Sequence, residues 1–270
     1  MSVHQEIKKV TTLTVRNMKQ RGEKIAMLTA YDYSMARMVD AAGVDIILVG
    51  DSASNVMAGN ATTLPITLDQ MIYHTSCVVK GTSRAMVVCD MPFGCCSDPA
   101  VSLQAAVRIM KESGAEAVKI EGGTAIADCI KAILHAGIPV MGHLGLTPQS
   151  VHQFGGFGLR AKEEAEAERL IADAHLLADL GCFALVLEKI PAATAARVSS
   201  EIDIPVIGIG AGSGVDGQVL VLHDMLGITK GFQPKFLRRY ADLHTVITDA
   251  VGHYVLDVKD TAFPNAEEQY

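Results

Sequence analysis

Apolar and polar positions along the chain form a recurring block. A segment with helical spacing ends at a glycine, and a run rich in Val, Ile or Leu begins soon after it. Glycine after a helix is the usual left-handed cap, and an uninterrupted apolar run is typical of a strand buried on both faces of a parallel sheet. The block is clearest after Gly43, Gly114, Gly137 and Gly181.

Eight apolar runs predict eight strands, of which the eighth has the weakest pattern. Eight parallel strands alternating with helices form a closed barrel of roughly 250 residues, and this chain has 270. We therefore predict an α/β fold, a (β/α)8 TIM barrel, as a single domain over residues 1–270 with Met1–Lys9 and Val258–Tyr270 as terminal arms. The runs are Ile25–Thr29, Val44–Val49, Ala85–Cys89, Ala117–Ile120, Ile138–Met141, Phe183–Leu187, Val206–Ile209 and Val219–Leu222.

Two of the intervening helices have clear signals. Asp98 and Pro99 are suited to the N-cap and the first helical position before Val101–Ser113. The segment Lys162–Leu180 is rich in Glu and Ala and has apolar residues at helical spacing. It therefore predicts an amphipathic helix on the outside of the barrel.

Composition narrows the class of protein. Hydrophobic residues make up 49% and charged residues 20%, and the formal net charge is −7 with no long run of Lys or Arg. We therefore expect the partners to be small molecules and expect neither nucleic acid nor a membrane as a partner. No apolar stretch approaches the roughly 18 residues of a membrane span, and the first ten residues lack a signal-peptide pattern. We expect a cytoplasmic protein.

The six cysteines include no C-x-x-C pair, so we expect all of them to be reduced, with neither a zinc ribbon nor a disulfide framework. Cys77, Cys89, Cys129 and Cys182 have apolar neighbours in the sequence. We expect these four to fill the core.

Polar residues follow nearly every apolar run. The carboxyl ends of the strands of a parallel barrel form one rim that holds the active site, so we expect these residues to converge there. They are Tyr31, Asp32, Asp51, Ser52, Asp90, Lys119, Glu121, His143, Glu188, Lys189, His223 and Asp224.

Three of these strand ends contribute the carboxylates Asp51, Asp90 and Glu121. Oxygen ligands favour Mg2+ before Mn2+ or Ca2+. Such a metal can chelate a 2-oxo acid, polarise its keto group and stabilise an enolate. The alternative is that each acid caps a following helix or pairs with a lysine.

Proton removal needs a base that does not bind the metal, and Glu188 is the candidate because it follows a later strand. It could instead pair with Lys189. Lys119 should point in the same direction as Glu121 and could contact the substrate carboxylate or the enolate oxygen, or could serve in a simple ion pair. His143 is expected to hydrogen-bond the substrate or to be structural.

The glycine run Gly208–Gly214 has two interpretations. Its backbone N–H groups could bind a phosphate, as late barrel loops do, or the glycines could permit tight packing. The pattern G-x-G-x-x-G also occurs, but no acidic strand end follows at the required distance, which argues against a dinucleotide site.

From about Thr29 to Phe236 the sequence closely resembles the ketopantoate hydroxymethyltransferase family. No short motif carries this resemblance by itself. The matching segments are Val49–Ser52, Thr63–Pro65, Tyr73–Thr75, Asp90–Phe93, Val118–Gly123, Gly142–Ser150, Leu187–Glu188, Ile204–Gly212 and His223–Asp224.

The resemblance implies that Asp51, Asp90 and Glu121 match the family's magnesium site and that Glu188 matches its general base. Ser52, Asp90 and Lys119 match its 2-oxo acid contacts, to which we add Asp51 and His143 as predicted contacts. It also implies 3-methyl-2-oxobutanoate as substrate, 5,10-methylenetetrahydrofolate as one-carbon donor and 2-dehydropantoate as product, on the route to pantothenate and coenzyme A. Members form large homo-oligomers, commonly decamers.

The segments Ala53–Asn60 and Gly94–Ser97 depart from the family pattern and flank the expected metal rim. We expect them to affect folate contacts and affinity. The rival interpretation is a Mg2+-dependent carbon–carbon lyase resembling isocitrate lyase and phosphoenolpyruvate mutase. The isocitrate lyases have a reactive Cys before Gly-His, and no Cys here is followed by Gly-His.

Overall fold

The computed structural model describes residues 8–270. It contains eight parallel strands that form a closed barrel in sequence order, with the last strand pairing with the first. This confirms the predicted TIM barrel. The strands are β1 Ile25–Thr29, β2 Ile46–Val49, β3 Met86–Asp90, β4 Ala117–Glu121, β5 Val140–Gly145, β6 Ala184–Glu188, β7 Val206–Ile209 and β8 Gly217–Leu220.

Three strands differ by two residues or more from their predicted bounds, and one of them is β2, which begins at Ile46 instead of Val44. Strand β5 begins two residues later than expected and continues to Gly145, because it pairs along this length with β4 and β6. The prediction for the eighth strand, Val219–Leu222, was wrong by two residues at each end. Leu222 already starts a helix, and Gly217 pairs with Ile25 of β1.

Helices cover the outside of the barrel between most strands. Asp98 caps its helix as predicted, since its Oδ1 accepts a hydrogen bond from the N–H of Ala100 at 2.8 Å. That helix ends at Arg108 and continues as a π-helical turn, Ile109–Ser113. The helices are α1 Thr12–Gln20, α2 Tyr33–Ala41, α3 Ala53–Val56, α4 Leu68–Gly81, α5 Pro99–Arg108, α6 Ala127–His135, α7 Val151–Phe154, α8 Glu164–Leu180, α9 Ala192–Glu201, α10 Leu222–Met225 and α11 Leu243–Lys259.

The main hydrophobic core fills the barrel interior. Its strand residues include Ile46, Met86 and Met141, and α1 adds Val15 and Met18. Helix α1 therefore packs into the same core as the strands. Every strand residue from β2 and β3 is buried, as expected for a parallel sheet covered on both faces.

The chain separates into two compact units, one ending at Val221 and the other comprising Leu222–Tyr270. The first contains all eight strands. The second contains α10 and α11, and no residue of α11 is buried. Lys8 and Lys9 are the only described residues of the predicted N-terminal arm, and the predicted C-terminal arm includes the end of α11. The single-domain interpretation of the whole chain stays a prediction.

Within residues 8–270, no helix combines the length and apolar character needed to cross a membrane. All six cysteines are free thiols. Cys89, Cys129 and Cys182 are buried, as predicted, whereas Cys77 is partly exposed. Burial raises the pKa of Cys89 and Cys182 to about 12, so both remain protonated and suit core filling.

Candidate active site at the carboxyl ends of the strands

Strand register brings several of the predicted residues together at the rim. Asp90 at the end of β3 is opposite Lys119 of β4, and Glu121 of β4 is opposite His143 of β5. Glu188 ends β6 opposite Gly145. Four consecutive strands thus contribute ionisable side chains to one cluster, as expected for the carboxyl ends of a parallel barrel.

Lys119 is at the centre of this cluster. Its Nζ lies 2.9 Å from Asp90 Oδ1 and 3.1 Å from His143 Nδ1, and its side chain is only 4% exposed. Burial by itself lowers the pKa of Lys119, but Asp90, Glu121 and Asp51 outweigh burial and hold it above its usual value. The ammonium is therefore permanently charged and fixed in position.

His143 connects Lys119 to Glu188. Burial, together with Lys119, lowers the pKa of His143, so its ring is neutral. Because the Lys119 ammonium can only donate, His143 Nδ1 accepts its hydrogen bond and Nε2 carries the ring proton. Nε2 lies 3.4 Å from Glu188 Oε2. The ring proton therefore faces the carboxylate of the predicted base.

Asp90 is held on its other side by the backbone of the β2 loop. The N–H of Asp51 donates to Asp90 Oδ2 at 3.0 Å. Next to it, Ser52 Oγ lies 2.8 Å from the hydroxyl of the buried Tyr31. A Cβ on Gly50 would lie 2.7 Å from Ser52 Oγ. Only glycine leaves space for this arrangement.

Tyr31 is itself held in place by a helix outside the barrel. His74 of α4 donates from Nδ1 to the backbone carbonyl of Tyr31 at 2.8 Å. The sequence marked Tyr31 as a strand end and His74 as part of a family segment, but assigned a role to neither. The packing of α4 against this strand end could not be predicted from the spacing of residues in the sequence.

Gln149 is a rim residue to which the sequence analysis assigned no role. It lies in the 3-10 turn Pro148–Ser150 that follows β5. Its Nε2 donates to Asp51 Oδ2 at 2.9 Å and its backbone N–H donates to Glu121 Oε2 at 3.0 Å. The one available signal was its position inside the matching segment Gly142–Ser150.

The cluster contains more carboxyl groups than cations. Burial, followed by repulsion from Glu121 and Asp90, raises the pKa of Asp51 to about 8. Burial, reinforced by Asp90 and opposed by Lys119, raises the pKa of Glu121 to about 7. When ionised, the three carboxylates and the one ammonium sum to −3 + 1 = −2. One divalent cation would neutralise this charge.

Carboxylate oxygens are the type of ligand that such a cation prefers. In their present positions, however, the described residues include no group of three or more His, Cys, Asp or Glu that could hold a metal. Asp90 Oδ1 is paired with Lys119 and Asp51 Oδ2 with Gln149. Glu121 Oε1 is buried without a hydrogen bond. Mg2+ usually binds through one or two carboxylates and keeps several waters, so a closed protein cage is not required.

Other strand-end residues are placed differently. Asp32 caps α2 by accepting from the N–H of Met35 at 2.9 Å, which is the structural alternative for a strand-end acid. Lys189 donates to the backbone carbonyl of Phe157. His223 and Asp224 lie in α10, within the second compact unit.

The glycine run packs against a helix. A Cβ on Gly212 would lie 2.4 Å from the Cβ of Ala192, and a Cβ on Gly214 would lie 2.8 Å from the Cβ of Ala196. Both alanines belong to α9. Of the two interpretations of this run, the contacts support tight packing.

A TIM barrel with a cluster of ionisable side chains at the carboxyl ends of its strands has the architecture of the enzymes of this fold class. Residues 9–266 match the family model described as ketopantoate hydroxymethyltransferase. The chain belongs to the ketopantoate hydroxymethyltransferase family, and it is a transferase. This confirms the predicted family.

Close relatives extend over the whole chain. It is 66% identical over 269 residues to a 3-methyl-2-oxobutanoate hydroxymethyltransferase of Bacteroides fragilis, covering 99% of this chain and 98% of the relative. It is 64% identical over 273 residues to the enzyme of the same name from Porphyromonas gingivalis, covering 100% of both.

Solved structures of other enzymes share the fold. A phosphonopyruvate hydrolase, described as a complex with oxalate and Mg++, aligns with a TM-score of 0.62 at 10% identity over 95% of this chain and 92% of that one. A 2,3-dimethylmalate lyase aligns with a TM-score of 0.60 at 16% identity over 95% and 87%. At such identities the likeness concerns the barrel alone, whereas the family relationship favours the hydroxymethyltransferase over the lyase interpretation.

Proposed function

We propose that this chain transfers a hydroxymethyl group from 5,10-methylenetetrahydrofolate to 3-methyl-2-oxobutanoate, giving 2-dehydropantoate for pantothenate and coenzyme A synthesis in the cytoplasm. The relatives' names supply the substrate. The observation that carries the proposal for this chain is the buried cluster of Asp51, Asp90, Glu121 and Lys119, because burial and carboxylate repulsion raise the pKa values of Asp51 and Glu121, and a divalent cation would relieve both effects.

Asp51, Asp90 and Glu121 would hold Mg2+. When bound, it supplies Lewis-acid polarisation of the keto group and stabilises the enolate. Lys119 is charged and buried, so it can orient an anionic substrate through its carboxylate or its developing oxyanion. Ser52 is aimed by the hydroxyl of Tyr31 and can donate to the same oxygens.

Glu188 acts as the general base that removes the C3 proton. Its side chain is 16% exposed, which leaves it more accessible than the carboxylates beside Lys119. The neutral His143 ring faces it from one side and can limit its orientations. After proton removal, C3 forms the new carbon–carbon bond to the methylene carbon of the donor, whose bonds to the two folate nitrogens are broken. Water supplies the hydroxyl oxygen, and tetrahydrofolate is released.

The assay for this proposal uses purified protein, both substrates and mass detection of 2-dehydropantoate. We expect product with Mg2+, its loss after exhaustive chelation with EDTA, and recovery on adding Mg2+. Full activity after chelation would rule out the metal-dependent mechanism. Failure to form product with Mg2+ and both substrates present would rule out the proposed reaction.

We also propose that the chain assembles as a homo-oligomer, with a decamer as the expected form. Helix α11 supports this because its large apolar side chains are exposed and need cover. These are Val246, Ile247, Val251, Tyr254, Val255, Leu256 and Val258. Light scattering after size exclusion should give a mass several times the 28.7 kDa of one chain, and a monomer at micromolar concentration would contradict the assembly.

A further inference from the structure

Gln149 contacts two of the three rim carboxylates from a single position. Its side-chain Nε2 donates to Asp51 Oδ2 at 2.9 Å and to the backbone carbonyl of Met91 at 3.0 Å. Its backbone N–H donates to Glu121 Oε2 at 3.0 Å. Asp51 follows β2, Met91 follows β3 and Glu121 ends β4. One residue from the loop after β5 therefore ties together three strand ends.

The orientation of the Gln149 amide follows from its partners. The Met91 carbonyl can only accept a hydrogen bond, so the amide must present its NH2 group to that oxygen. The same NH2 group has a second hydrogen, which points to Asp51 Oδ2. The amide thus has a fixed donor face toward the carboxylates.

The turn that carries Gln149 is also constrained. Pro148 precedes it, and Ser150 N–H donates to the Thr147 carbonyl at 2.9 Å. This turn aims the Gln149 backbone N–H at one oxygen of Glu121, whereas the other, Oε1, is buried without a hydrogen bond. The contact therefore fixes Glu121 while leaving one of its oxygens available to a ligand.

We infer that Gln149 is a positioning residue that holds Asp51 and Glu121 in the separation and orientation needed to bind a divalent cation. This inference rests on the proposed metal-dependent function. Hydrogen-bonding partners that orient carboxylate ligands commonly change metal affinity by roughly 10- to 100-fold when they are removed.

The test measures metal binding directly, by titration calorimetry with Mg2+ and by the electron paramagnetic resonance spectrum of bound Mn2+. Gln149→Met keeps the length of the side chain and the backbone N–H but removes the amide donors. Gln149→Asn keeps the amide on a side chain shorter by one methylene, too short to hold both partners. We expect both variants to weaken Mg2+ binding roughly 10- to 100-fold, with an altered Mn2+ spectrum.

Gln218→Met is the matched control, because Gln218 also donates from Nε2 to a backbone carbonyl, that of Gly212, at 2.9 Å. It should bind Mg2+ as the wild type does. Melting temperatures measured in EDTA separate positioning from general stability. Equal Mg2+ affinity in wild type and both Gln149 variants would overturn the inference about Gln149 alone, even if their melting temperatures fell. Failure of the wild-type protein to bind Mg2+ would overturn this inference and the proposed function together.

Discussion

Each end of the barrel has an ion pair between a lysine and an aspartate, and the surroundings of the two pairs differ. At the amino-terminal end, Lys19 of α1 lies 2.9 Å from Asp216, just before β8. At the carboxyl end, Lys119 lies 2.9 Å from Asp90. The distances are the same, so the difference must come from what surrounds each pair.

Around Lys19 every donor has an acceptor. Its Nζ donates to Asp216 and to the backbone carbonyls of Ser199 and Ile204, at 2.8 and 3.1 Å. Asp216 Oδ2 also accepts from Ser199 Oγ and from the N–H of Val206. One cation faces one carboxylate, with no excess charge. This pair links α1 to the residue that precedes β8.

Around Lys119 the charges do not balance. Asp51 and Glu121 add two carboxylates, both with raised pKa values, and the buried atoms Glu121 Oε1 and His143 Nε2 have no hydrogen bond. Imbalance of this kind costs stability in the protein alone and is typical of sites completed by a ligand. The same pair of residue types is therefore structural at one end and, in the proposed function, part of the active site at the other.

The largest expected effect is on catalysis at the carboxyl end. Glu188→Gln removes the proposed base without changing its size, so the rate of the full transfer reaction should fall roughly 10²- to 10⁴-fold. Mg2+ binding should be kept, because Asp51, Asp90 and Glu121 are unchanged. Steady-state kinetics and calorimetry measure the two effects.

Two outcomes would contradict the assignment of Glu188. A transfer rate within a few-fold of wild type would show that another group removes the proton. Loss of Mg2+ affinity parallel to the loss of rate would place Glu188 among the metal ligands instead of the base. Lys189→Met, which changes the next residue in the chain, controls for local disturbance and should bind Mg2+ normally.

At the amino-terminal end the expected effect is on stability. Lys19→Met leaves Asp216 without its cation and removes charged donors from two carbonyls. Hydrogen bonds to charged groups contribute about 1.5–3 kcal/mol each, but this pair is 15–17% exposed and water can replace part of the loss. Chemical denaturation should show a free energy of unfolding lower by about 2 kcal/mol, with activity per folded molecule unchanged. A loss of activity without a loss of stability would invalidate the contrast between the two ends.

The smallest expected effect is a pH dependence of stability in the metal-free protein. Unfolded Asp and Glu have pKa values near 4, whereas the folded protein raises Asp51 to about 8 and Glu121 to about 7. The folded state thus retains protons that the unfolded chain has released, so stability falls as pH rises toward 8. The pKa of His143 is lowered, so its ring is already neutral as the pH approaches 8 and does not contribute to this dependence.

Melting temperatures between about pH 7 and 8.5 in EDTA measure this dependence. We expect a decline with rising pH that becomes shallower in Asp51→Asn and that saturating Mg2+ suppresses. A wild-type profile as flat in EDTA as in Mg2+ would show that the buried carboxylates carry no such strain.

Much of the barrel was predictable because parallel strands are marked by local patterns. Continuous apolar runs located β1 and β7 at their observed bounds, and capping glycines marked the starts of four other strands. Strand β8 was misplaced because the run Val219–Leu222 passes from strand into helix without a polar interruption. Its start depends on Gly217 fitting closely against Ile25 of β1, which is a tertiary contact.

Part of the candidate site was also predictable from the sequence. Strand-end polarity identified Asp90, Lys119, Glu121 and His143, which the register does bring together. Their proposed roles remain predictions. The contacts of Gln149 were not predictable, because they depend on the path of a turn after β5 relative to three other strand ends. For the glycine run, tight packing was one of two interpretations, but α9 could not be identified as the partner of Gly212 from the sequence.

The most direct measurement for the central claim is proton exchange at C3 of 3-methyl-2-oxobutanoate in D2O, followed by proton NMR with no folate present. If the cluster around Lys119 is a metal-dependent site for proton abstraction, the C3 signal should decay in the presence of protein and Mg2+ and should persist when EDTA replaces Mg2+. Decay at the same rate in EDTA, or no decay with Mg2+ bound, would contradict the account.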